Sequence, residues 1–83
     1  MEMIETSISY AGAPVQINIY PENNYLGLIY PVEMEGKYAF TIYCNDEEEW
    51  LILREPDGTT PYVEDELLKK ILKNLQLQLR YAA

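Results

Sequence analysis

The chain contains no histidine. Imidazole is the side chain whose ordinary pKa lies closest to neutrality, and its absence removes Ser–His and Cys–His nucleophile pairs. General acid–base catalysis loses its commonest agent as well. Cysteine occurs once, at Cys44, so no internal disulfide framework exists, and a lone thiol suits a reducing compartment. Bases are scarce: six Lys and Arg stand against fourteen Asp and Glu, a net charge of −8 with a pI near 4.3. Nucleic acid and anionic membranes both require a positive footprint, so neither is an expected partner. The N-terminal stretch Met1 to Glu5 is acidic and lacks the basic start and apolar run of a signal peptide. No apolar run approaches the roughly 20 residues of a membrane span. The expected location is cytoplasmic. Glycine-rich phosphate loops, Cys-x-x-Cys pairs and zinc signatures are all missing. No catalytic residue, cofactor or metal site is expected.

What remains is apolar and aromatic. Hydrophobic residues make up 48% of the chain, enough for a folded core despite the charge. Eight of the aromatic residues are tyrosines, which bury a ring while the hydroxyl finds water or a partner. A single domain of this length hides only about 60–65% of its unfolded surface, so every apolar face is needed.

The first two-thirds alternate with period two, the signature of half-buried strands. Residues 3–10 place Ile4, Thr6, Ile8 and Tyr10 on one side. Gly12-Ala13-Pro14 reads as a turn, and residues 15–20 place Val15, Ile17 and Ile19 together. Pro21-Glu22-Asn23-Asn24 reads as a second turn. Residues 25–34 form a third strand with Leu26, Leu28, Tyr30 and Val32 on one face. Pro31 has no amide hydrogen, which predicts an edge position or a bulge. Glu35-Gly36 closes a hairpin onto residues 37–44, where Tyr38, Phe40, Ile42 and Cys44 share a side. Cys44 therefore reads as a buried thiol. An acidic loop, Asn45 to Glu49, leads to a short fifth strand from Trp50 to Arg54.

After the Pro56-Asp57-Gly58-Thr59 turn the period changes to 3.6. Thr59 or Thr60 reads as a helix cap, with Pro61 in the first turn. Leu67, Leu68, Ile71, Leu72, Leu75 and Leu79 then form an apolar stripe. The acids at 64–66 and the lysines at 69, 70 and 73 match the helix dipole. Residues 75–81 fit either a continued helix or a terminal strand. The implied fold is α+β: an antiparallel meander of about five strands (about 3–54) packed on one C-terminal amphipathic helix (about 61–80).

Two candidate sites reduce to ordinary structure. The acidic run at 45–49 lacks the spacing of a calcium loop, and its carboxylates are expected to splay into water. Glu55 to Thr60 reads as a turn and cap. The informative feature is the second sheet face. With the helix on the side of Val15, Ile17, Leu28, Phe40 and Ile42, the opposite side collects Tyr20, Tyr25, Ile29 and Tyr43. To these it adds either Trp50 and Ile52 or Leu51 and Leu53. Tyr and Trp are enriched in interface centres. The candidate interaction surface is accordingly Tyr20, Tyr25, Ile29, Tyr43 and Trp50. The expected function is a non-enzymatic protein-interaction module, with a protein partner or a homodimer on this face. The alternative is an acidic inhibitor, of the immunity-protein or antitoxin type, acting on a basic partner.

Overall fold

A computed structural model describes residues 3–25 and 27–82, with backbone alone at 80–82. Six strands precede one helix: β1 (Ile4–Tyr10), β2 (Ala13–Ile19), β3 (Glu22–Asn24), β4 (Gly27–Met34), β5 (Lys37–Cys44), β6 (Trp50–Ile52) and α1 (Asp65–Ala82). All pairings are antiparallel, in the order β1-β2-β4-β5-β6 with β3 also paired to β4. The fold is thus an α+β meander with one C-terminal helix.

β2 and β3 are one strand interrupted by a proline. Ile19 pairs with Val32 and Glu22 with Ile29, so the register is the same on either side of the break. Residues 22–24, expected in a turn, are therefore strand, and the chain reverses after Asn24. Tyr20 donates its amide to the Pro31 carbonyl at 3.0 Å, but Pro31 has no N–H to return. The amide position of Pro21 points the other way, away from β4, because ladder groups alternate. β4 is consequently central rather than at an edge. Its proline is tolerated because the lost bond falls where the partner strand is already broken.

A register shift falls between Val32 and Glu33. Val32 faces Phe40 and Glu33 faces Tyr38, so Ala39 is the extra residue of a β-bulge. The bulge moves Tyr38 off the side of Phe40 and Ile42, where strict alternation had placed it.

The core lies between the sheet and α1. Ile17, Ile19, Val32, Phe40 and Ile42 from the sheet are buried with Ile71 and Leu75 from the helix. Leu67, Ile71 and Leu75 recur every four residues, and each such buried side chain contributes about 1.5–3 kcal/mol. The helix starts at Asp65, not 61. Thr59 does not cap it: Thr59 lies well before the helix, in the preceding turn, where its amide and hydroxyl both donate to the Asp57 carboxylate, at 2.9 and 2.6 Å. Its hydroxyl and amide bonds hold the Asp57 carboxyl below its usual range. The first helical bond instead runs from the Leu68 amide to the Glu64 carbonyl. The helix continues to Ala82, so residues 75–81 are not a strand.

The chain from β6 crosses to the far edge of the sheet before α1 begins. There the Tyr10 hydroxyl donates to the Glu64 carboxylate, and Lys70 Nζ donates to the Ser9 carbonyl at 2.6 Å. α1 thus runs back along β1 on one face of the sheet. Among the described residues no helix covers the opposite face.

Candidate functional site

Cross-strand pairing lays out this outer face in rows. Glu22, Ile29, Tyr43 and Leu51 lie side by side across β3, β4, β5 and β6. Tyr20, Pro31, Thr41 and Leu53 form the next row, since the Leu53 amide donates to the Thr41 carbonyl at 2.8 Å. Glu5, Asn18, Glu33 and Tyr38 form the third. The β4–β6 half is apolar and aromatic, and the β1–β2 half is polar.

Tyr20, Ile29 and Tyr43 therefore share the outer face. Tyr20 is half-buried and donates to the Glu33 carboxylate at 2.8 Å. That bond, with burial second, pushes its phenol above the usual range. Ile29 is 5% exposed and forms floor rather than contact surface. Tyr43 is half-buried beside it. Tyr25 is 93% exposed at the turn after β3.

Trp50 lies on the other side. Trp50 pairs with Cys44 and Ile52 with Ile42, which places Trp50 and Ile52 on the helix face. The Trp50 ring tilts against Tyr30 with centroids 5.5 Å apart. Leu51 and Leu53 take the outer face instead. β6 is apolar at four successive positions, so its own alternation gives no choice of side; only its pairing decides. Cys44 has the parity of the core but is exposed at the end of β5, outside the buried cluster.

The acidic loop between β5 and β6 is tied by one side chain. Asn45 Oδ1 accepts the amides of Glu47 and Glu49, and its Nδ2 donates to the Glu49 carboxylate. Its acids face solvent. Among the described residues no group of three or more acidic, thiol or imidazole side chains converges for a metal ion.

The outer face also holds a cavity of about 520 Å³, unmarked by any sequence motif. The turn after β3 brings Asn24 and Tyr25 to its rim, beside Tyr38, Thr41, Leu53 and the Arg54–Pro56 segment. Thr41 is buried at 6% exposure. Tyr38 Oη lies 2.6 Å from a Glu55 carboxylate oxygen and 2.8 Å from Thr41 Oγ1. An ionised carboxylate only accepts, so the Tyr38 hydrogen points to Glu55 and the Thr41 hydrogen to Tyr38. Burial, then the Glu55 bond, raise the Tyr38 phenol above its usual range, with the Thr41 donation opposing them. The Glu55 backbone is fixed in turn: its amide donates to the Thr59 carbonyl and its carbonyl accepts from the Gly58 amide. The bulge at Ala39 brings Tyr38 to this face, which is why period-two reading misses the cluster.

Among the described residues no helix is long and apolar enough to cross a membrane. Comparison with protein-family models, curated proteins and solved structures finds no match to this chain.

Proposed function

We propose that this domain is a non-enzymatic interaction module that binds a basic protein segment across the outer face of β4–β6. The observation that carries the reading is the composition of that face, where tyrosines and leucines are interleaved with carboxylates. Tyr38, Tyr43, Leu51 and Leu53 lie alongside Glu22, Glu33 and Glu55. Tyrosine rings and carboxylates together suit lysine and arginine side chains, through ring faces and charge. The charge of the chain is divided in the same sense. Residues 1–66 hold all fourteen acids with only Lys37 and Arg54, a net −12, while residues 67–83 hold four bases and no acid, +4.

β6 adds backbone groups. Leu51 and Leu53 direct theirs to β5, so those of Trp50 and Ile52 point outward, with no partner among the described residues. An extended segment that pairs with this edge would gain main-chain bonds. An acidic inhibitor of a basic enzyme would use the same surface and differ only in the identity of its partner. The single exposed thiol, Cys44, fits a reducing cytoplasm.

The test is calorimetric binding of short extended peptides that alternate Lys or Arg with Val or Leu, at low and high salt. Wild type should bind with steep salt dependence, and Leu51→Lys should weaken binding about tenfold or more. Leu77→Lys, on the exposed side of α1, should leave it unchanged. A solution dimer that Leu51→Lys dissociates would overturn the basic-partner reading in favour of self-association. Equal binding by wild type and Leu51→Lys would remove the face from consideration.

A further inference from the structure

We infer that the cavity beside Tyr38 is a recognition pocket for a single alkylammonium or guanidinium group, the end of a lysine or arginine side chain. The inference rests on the proposed function only for the partner's charge.

The size of the cavity, about 520 Å³, lies within the range that holds a side chain or small ligand. Its polar end is built to accept hydrogen bonds. The two hydroxyl hydrogens are consumed internally, Thr41 donating to Tyr38 and Tyr38 to Glu55. Neither hydroxyl has a hydrogen left for an anion. Within this cluster the Glu55 carboxylate keeps a second oxygen with no protein partner among the described residues, and Thr41 Oγ1 keeps lone pairs. A ligand that carries hydrogen-bond donors and positive charge satisfies both. The Tyr25 and Tyr38 rings, with Leu53, supply the apolar wall for an aliphatic stem and ring faces for the cation. The net charge of −8 raises the local concentration of cations and lowers that of anions.

Arg54 is the group that opposes this assignment. It lines the same cavity and is exposed. A long exposed arginine lays its aliphatic stem on the wall and keeps its guanidinium in water. Its charge therefore weakens cation binding without blocking the pocket, and this sets up a discriminating test.

The experiment follows backbone amide shifts by NMR while the protein is titrated with N-acetyl-lysine methylamide, N-acetyl-arginine methylamide and, as the anion, acetate. The cationic probes should move the amides of Tyr38, Thr41 and residues 53–55, and acetate should not. Glu55→Gln keeps an acceptor for Tyr38 and removes the charge; it should lower the affinity of the cationic probes about fivefold. Tyr25→Ala changes an exposed turn residue without touching the core and should lower it about threefold, the worth of an exposed cation–ring contact. Arg54→Gln should raise it about twofold. The opposite pattern overturns the inference: acetate binds, cations do not, and Arg54→Gln abolishes binding. So does a wild type that none of the cationic probes shifts, or cation binding that both Glu55→Gln and Tyr25→Ala leave intact. If the basic peptides still bind and Leu51→Lys still disrupts them, only the pocket assignment has failed and the face survives.

Discussion

Ala11 and Glu35 have left-handed backbone conformations, with φ of 54° and 52°. Each precedes a glycine with φ near 80°, so the β1–β2 and β4–β5 connections are two-residue turns with both central residues at positive φ. Such turns match the twist of the flanking strands and favour Asn-Gly or Asp-Gly. Glu35 is compensated, since its carboxylate accepts the Gln16 amide at 2.9 Å. Ala11 has only a methyl group there and no such bond. Ala11→Asn should therefore stabilise the domain by about 0.5–1 kcal/mol, read as a higher urea midpoint with an unchanged slope. A lower midpoint would mean that the turn conformation at residue 11 is wrongly assigned.

At the scale of elements, the helix divides its leucines sharply. Leu75 is fully buried against the sheet, whereas Leu77 is 39% exposed. Leu75→Ala should cost about 2–5 kcal/mol. In a domain whose whole stability is of order 5 kcal/mol or little more, that loss leaves much of the population unfolded. Leu77→Ala should stay within about 0.5 kcal/mol. Thermal unfolding of the two variants separates them; similar losses would show that the helix is rotated relative to this packing. The apolar stripe of α1 was readable in the sequence because Leu67, Ile71 and Leu75 keep helical spacing over several turns. β1 and β2 were readable because alternation survives in each, and β5 because it survives beyond the bulge, from Phe40 onward. The start of α1 was not: Thr59 and Pro61 look like a cap and first turn, but Thr59 belongs to the turn with Asp57 and the helix begins only at Asp65. Nor was the central place of β4, because tolerance of Pro31 depends on a break at Pro21 ten residues away. Part of the candidate surface was legible from parity alone, as Tyr20, Ile29 and Tyr43 show. Trp50 was not, because Leu51 and Leu53 are equally apolar. Tyr38 and its neighbours at the cavity escaped notice because one inserted residue, Ala39, reverses the parity that period two assumes.

For the whole molecule, tyrosine replaces histidine as the titrating group that reports on folding. Tyr10 and Tyr20 have phenols raised above their ordinary 10.0 first by hydrogen bonds to Glu64 and Glu33, and Tyr30 and Tyr38 first by burial. The four span the molecule: the β1–helix contact, the outer face, the core and the cavity. A raised phenol pKa means that the folded state holds its proton more tightly than the unfolded chain does. The resulting stability is fully present below about pH 10 and is lost as pH rises through the higher folded values. Ionisation of Tyr10, Tyr20 or Tyr38 would also set the new phenolate against the carboxylate that now accepts its hydrogen, in a chain already at −8. The urea midpoint should therefore hold steady through mildly alkaline solution and fall continuously above about pH 10. Tyr20→Phe should make the fall shallower, because it removes one linked proton while its ring still covers the same surface. A midpoint indifferent to pH across that window would mean that the phenols ionise alike in both states. The hydroxyl–carboxylate pairs on the outer face would then not be formed in solution, and the acceptor-lined pocket argued from Tyr38 and Glu55 would lose its foundation.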